Sequence, residues 1–154
     1  MSADRPAPRA AYLHVPFCRH RCGYCNFTVI AGRDELAGDY LRGLEHELSR
    51  LETPRPVDSL FIGGGTPTQP GPDWLARLIA LATRWFPLVP GYELSLEANP
   101  ADLSPAMLDQ IEALGVNRLS IGGQSFDAAK LVRLERDHTP EQLASAVEAA
   151  RRRV

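Results

Sequence analysis

Three cysteines fall within eight residues, Cys18-Arg19-His20-Arg21-Cys22-Gly23-Tyr24-Cys25, and the chain holds no fourth. Thiolates are the usual protein ligands of iron–sulfur clusters, and a fully ligated four-iron cluster takes four of them. Three thiolates would hold such a cluster by three irons and leave the fourth iron open for chemistry. The same residue types serve other ends. A structural zinc site takes four closed ligands, and His14 or His20 could complete a Cys₃His set. Two disulfides need four cysteines, so three leave one over. Residues 1–8 contain no apolar signal-peptide core, which points to a cytoplasmic setting where disulfides are rare.

Composition narrows the classes. The 154 residues carry a formal net charge of −2 and are 44% hydrophobic, which suits one domain with one core and no polyanionic partner. No apolar run approaches the roughly 18–20 residues that cross a bilayer. Neither nucleic acid nor a membrane span is therefore expected. The closing Arg151-Arg152-Arg153 complements the dipole at a helix C-terminus. Arg5-Pro6-Ala7-Pro8-Arg9 reads as low-complexity sequence, which predicts a flexible leader over 1–10 and one folded domain over 11–154.

The elements that must position the cysteines alternate in type. Strands are expected over 11–15, 57–62, 92–97 and 116–121. Leu36, Tyr40, Leu44, Leu48 and Leu51 recur at helical spacing behind the first, and Pro72-Asp73 opens a helix carrying Trp74, Leu75 and Leu78. Ser104-Pro105 supplies an N-cap followed by proline at the first helical position, and Gly115 closes that helix. Asp127 caps a short helix, and Thr139-Pro140-Glu141-Gln142 opens the last one. Four strand–helix units in a row argue for a parallel sheet, either doubly wound or a barrel. In both, ligands collect where strands run into helices. Every unusual feature falls at that edge: the cysteine loop after the first strand, Gly63-Gly64-Gly65-Thr66-Pro67 after the second, Glu97 at the end of the third, and Gln124 after the fourth. The triple glycine lacks the Lys-Ser/Thr ending of a P-loop, but its backbone can approach a ligand closely. Glu97 would give a cationic ligand with an amino group both charge and an acceptor.

Five blocks in order carry a resemblance. They are Tyr12-Leu13-His14-Val15-Pro16-Phe17-Cys18, the cysteine loop, Phe61-Ile62-Gly63-Gly64-Gly65-Thr66-Pro67, Glu97-Ala98-Asn99-Pro100, and 117–126, Asn-Arg-Leu-Ser-Ile-Gly-Gly-Gln-Ser-Phe. Together they resemble the oxygen-independent coproporphyrinogen III oxidase family of radical S-adenosylmethionine (SAM) proteins. The resemblance covers residue 11 to about 138 and implies an α/β fold, a partial parallel (βα) barrel with about four of six strand–helix units present. The chain is accordingly expected to stop short of the full barrel and of the domain that follows it. The resemblance implies a [4Fe–4S] cluster on Cys18, Cys22 and Cys25, with SAM filling the open iron. Tyr24 would pack beside SAM, Gly64, Gly65 and Thr66 would hold its methionine part, and Glu97, Gln124, Arg136 and Tyr12 match further positions lining the site. His14 would sit near substrate, or else be satisfied by a hydrogen bond.

Two departures shape the functional expectation. The family's oxidases carry a further Cys two residues beyond the third ligand, where this chain has Phe27. That disfavours oxidative decarboxylation of coproporphyrinogen III and favours the branch regarded as haem chaperones, so that haem or a porphyrinogen, an electron-donor protein and a haem-acceptor protein are the implied partners. Gly123 replaces a larger apolar residue, which would loosen the strand end.

Overall fold

The computed structural model describes residues 7–154. Four strands form one parallel sheet: β1 (Ala10–Val15), β4 (Val57–Gly64), β5 (Leu88–Ala98) and β6 (Arg118–Ile121). Two further short strands, β2 (Phe17–Cys18) and β3 (Ile30–Ala31), pair with each other. The helices are α1 (Ala37–Ser49), α2 (Pro72–Trp85), α3 (Pro105–Ala113), α4 (Ala128–Arg133) and α5 (Pro140–Ala150). The leader expected over 1–10 lies outside the described residues for 1–6. Its last residue is corrected: Ala10 already belongs to β1, because the Asp58 amide bonds the Arg9 carbonyl and the two side chains form an ion pair.

The strand order is β1-β4-β5-β6, every neighbour parallel. Each new strand is added on the same side of the last, with no reversal of the kind that marks a doubly wound sheet. Alternation decides the faces. Leu13 and Val15, Leu60 and Ile62, and Leu94 and Leu96 are buried in one cluster with residues of α1, α2, α3 and α5. Helices thus cover one face only. The other face carries Tyr12, His14, Phe61, Glu97 and Arg118, as the inside of a barrel arc would. The pairing Val15 with Gly64, and Ala98 with Ile121, brings the strands to their ends close together. The loops that follow therefore meet at one edge.

Local signals set the helices. The Ser104 hydroxyl accepts the Met107 amide at 3.2 Å, the Asp127 carboxylate accepts the Lys130 amide at 3.1 Å, and Thr139 with Gln142 completes a reciprocal capping box. Strand β5 starts at Leu88 rather than at Tyr92, passing through Gly91 at φ 83° with a register shift against β4 between Val57 and Ser59. Arg152 and Arg153 of the basic run pair with Glu148 and Asp109, respectively.

Gly123 does not loosen the strand end. A Cβ there would lie 2.6 Å from Leu143 Cδ2. The space that a larger residue would fill is occupied by α5.

Candidate metal and cofactor site

The cysteine loop is held at its base by β2 and β3, which pair Phe17 with Ile30 and Cys18 with Ala31. Gly32 donates its amide to the Cys18 carbonyl at 2.9 Å, and Ile30 donates to Pro16 at 2.8 Å. Phe17 is fully buried, with Tyr40 and Trp74 packed edge-on to its ring at 5.6 and 5.9 Å. The residue next to the first cysteine is therefore fixed by aromatic packing. His14 is satisfied by hydrogen bonding: its Nε2 lies 2.8 Å from the Thr28 carbonyl and its Nδ1 lies 3.3 Å from the Tyr12 hydroxyl.

The glycine loop lies against this base with almost no clearance. Gly65 donates to the Val15 carbonyl at 2.7 Å and Thr66 to the Phe17 carbonyl at 2.6 Å. A Cβ on Gly65 would meet the Phe17 carbonyl oxygen at 2.5 Å and Cys18 Sγ at 3.0 Å, and Gly64 adopts φ 115°. Only glycines admit this approach. Glu97 accepts the Gly64 amide through Oε2 at 2.8 Å, while its Oε1 has no hydrogen-bond partner among the described residues.

These loops enclose a cleft of about 450 Å³, within the range of small-molecule sites. Cys18, Cys22 and Cys25 line it, with Tyr24, Gly64, Gly65, Thr66, Glu97, Gln124 and Arg136. Of the residues singled out in the sequence for the cofactors, Tyr12 alone is outside the lining. It lies exposed on the open face of the sheet, its ring 5.8 Å from that of Phe61. Arg136 is no solvated helix charge: it follows α4, donates to the Gly122 carbonyl at 2.7 Å, and has Nη1 3.5 Å from Cys22 Sγ. Gln124 sits at φ 62°, a left-handed conformation uncommon for a residue with a side chain.

The donor chemistry fits a cluster and a ligand beside it. All three thiols are free. Among the described residues no three His, Cys, Asp or Glu are placed to share one metal ion. Burial raises the Cys18 thiol above its ordinary value; the Thr66 hydroxyl offsets this in part, and the other two cysteines add to it. A cation bound beside the three cysteines would favour their thiolate form. Arg136 Nε is buried without a partner among the described residues, an orphaned donor on a residue that lines the cleft. A ligand carboxylate would satisfy it.

Sequence reasoning missed a polar group beside the cleft, made of Thr68, Asn99, Asp102 and Asp137, of which Asn99 lines the cleft. Asp102 accepts from Thr68 Oγ1 and from Arg19 Nη2, each at 3.0 Å. Asn99 Nδ2 bonds Asp137 at 3.1 Å. These contacts join residues 34 to 83 positions apart, so no local pattern announces them.

The α/β arc with all-parallel strands, three loop thiols and a glycine cradle has counterparts among known proteins. The family description "Radical SAM superfamily" matches residues 12–154, and the chain belongs to that superfamily. It is 38% identical over 149 residues to the protein named "Heme chaperone HemW" of Bacillus subtilis, covering 93% of this chain and 39% of that protein. It is also 38% identical over 156 residues to "Oxygen-independent coproporphyrinogen III oxidase" of Bradyrhizobium diazoefficiens, covering 97% of this chain and 35% of that protein. The solved coproporphyrinogen III oxidase HemN of Escherichia coli, a radical SAM enzyme, superposes with a TM-score of 0.86 at 33% identity, over 94% of this chain and 34% of HemN. The chain thus spans little more than a third of these relatives. No helix among the described residues is long and apolar enough to cross a membrane.

Proposed function

We propose that Cys18, Cys22 and Cys25 hold a [4Fe–4S] cluster, that SAM occupies the rest of the cleft, and that the protein serves as a haem chaperone. The observation that carries the cofactor reading is the meeting of three free thiols, the Gly64–Gly65 cradle, Glu97 and the orphaned Arg136 Nε in one cleft. The cluster, when bound, supplies an electron to SAM. The chain's own groups bind and orient: Glu97 Oε1 accepts from an ammonium group, Arg136 Nε donates to a carboxylate, and the glycine backbone excludes bulk from between them. A reducing, cytoplasmic setting suits thiols kept free for metal.

Phe27 favours the chaperone function. It lines the mouth of the cleft, 63% exposed, where the oxidases carry a further cysteine, and an aromatic ring offers neither thiolate nor proton donor. The oxidase names among the relatives support the second reading, oxidative decarboxylation of coproporphyrinogen III. Haem or a porphyrinogen, an electron donor and a haem acceptor are the corresponding partners.

Anaerobic reconstitution tests the cofactor reading. The chain should take up about four irons, and replacing any one of the three cysteines with Ala should abolish the brown chromophore. Stoichiometric zinc without iron uptake under reducing conditions would overturn it. Glu97→Gln should weaken SAM binding to the loaded chain. A longer form carrying this chain, supplied with SAM and an electron source, should bind haem and leave coproporphyrinogen III unchanged; conversion to protoporphyrinogen IX would establish the enzyme instead.

A further inference from the structure

One buried carboxylate touches two of the loops that build the cleft. Asp102, its side chain 8% exposed, lies in the turn after β5. Its Oδ1 accepts from Arg19, which stands between Cys18 and Cys22 in the cysteine loop. Its Oδ2 accepts from Thr68, 2% exposed, two residues beyond Thr66 in the glycine loop. The turn itself is closed by the Asp102 amide on the Asn99 carbonyl at 3.0 Å, and Asn99 reaches on to Asp137, next to Arg136.

We infer that Asp102 is a positioning residue: by holding Arg19 with one oxygen and Thr68 with the other, it sets the cysteine loop and the SAM-facing glycine loop in one fixed relation. This rests on the cofactor reading above for its purpose, but the clamp is a property of the chain alone. Among the described residues, neither loop has another side-chain link of this kind to the turn after β5. The ionised carboxylate is an expensive way to stabilise a fold, since buried ion pairs often do no better than apolar residues of the same volume. Burial also raises the Asp102 carboxyl above its ordinary range despite Thr68 and Arg19. Its return is in loop geometry.

The experiment compares Asp102→Leu, Asp102→Asn and Arg19→Gln. Leu keeps the volume and removes both acceptors; Asn can still accept from Arg19 and donate to Thr68. Exchange of the Cys25 amide, which bonds the Cys22 carbonyl at 3.0 Å and is the hydrogen-bonded amide of 19–25 among the described residues, should quicken by about tenfold or more in the apo chain of Asp102→Leu and of Arg19→Gln, as for loss of a hydrogen bond to a charged group. Asp102→Asn should restore slow exchange, and Arg19→Gln/Asp102→Leu should exchange no faster than either single change. Iron release from the loaded chain to a chelator should follow the same order, while global unfolding of Arg19→Gln, an exposed side chain, stays level. Unchanged exchange in Arg19→Gln, whose side chain is 57% exposed and whose loss leaves the core intact, would overturn the inference even if Asp102→Leu failed to fold. So would a fall in global stability that accounts for the faster exchange. A chain that loads no iron would defeat the cofactor reading and leave the exchange result to decide the clamp.

Discussion

Gly65→Ala tests the packing of the glycine loop on the cysteine loop with a single methyl. The added Cβ would sit 2.5 Å from the Phe17 carbonyl oxygen and 2.9 Å from the Pro16 carbonyl carbon, both backbone atoms with no rotamer to change. Relief requires β4 to draw away from β1, which stretches the bonds from Gly65 to Val15 and from Thr66 to Phe17. Overpacking costs about 1–3 kcal/mol, and each weakened backbone bond adds about 1 kcal/mol. A loss of about 3–5 kcal/mol is expected, large against a total of about 5–15 kcal/mol. In urea this moves the midpoint by roughly 2 M at a slope of about 2 kcal/mol per M. The control is Gly43→Ala, within α1 and with nothing inside 4 Å of the new methyl; it should gain about 0.5–1 kcal/mol. If the two variants unfold at the same midpoint, the close approach of the loops is not what Gly65 serves.

Gly123→Val should cost about 1–3 kcal/mol through its contact with Leu143, and Gly123→Val/Leu143→Ala should cost less than the sum of the singles, measured as a double-mutant cycle. Thr139→Ala removes the acceptor of the Gln142 amide from the α5 capping box and should lower stability by about 1 kcal/mol, seen in the thermal midpoint. Asp102 gives a pH dependence of known sign. Its folded carboxyl lies above its ordinary 3.8, so its contribution to stability is complete below that value and is lost as pH rises through the folded one. The urea midpoint of Asp102→Asn relative to the native chain should therefore rise between about pH 4 and about pH 7, and a relative fall would contradict the burial cost.

The helices were legible because their signals are local. Ser104, Asp127 and Thr139 each cap an amide three residues on, and a cap works over one turn whatever surrounds it. The four main strands and their parallel order were legible for a related reason: alternating apolar residues choose a face, and helical crossovers leave parallel pairing as the outcome. That the cysteine, glycine, Glu97 and Gln124 segments share one edge follows from that order. The start of β5 was less visible, since Pro90-Gly91 reads as a break and only pairing with β4 keeps Leu88 in the strand.

Chemistry at the site divides the same way. Residue type and spacing in the sequence determined the three thiols, the glycines and the carboxylate of Glu97 as candidates. The fold decided what each one touches. It satisfied His14 with Thr28, left Tyr12 outside the cleft lining, filled the space beside Gly123 with Leu143, and set Arg136 Nη1 beside Cys22. It also made Asp102, unremarked in the chain, the meeting point of Arg19 and Thr68. Such contacts join residues tens of positions apart, and they exist only once sheet register has fixed the distance between loops. A hydrogen bond fails beyond about 3.5 Å, so its partners are set by tertiary geometry and leave no periodicity in the sequence.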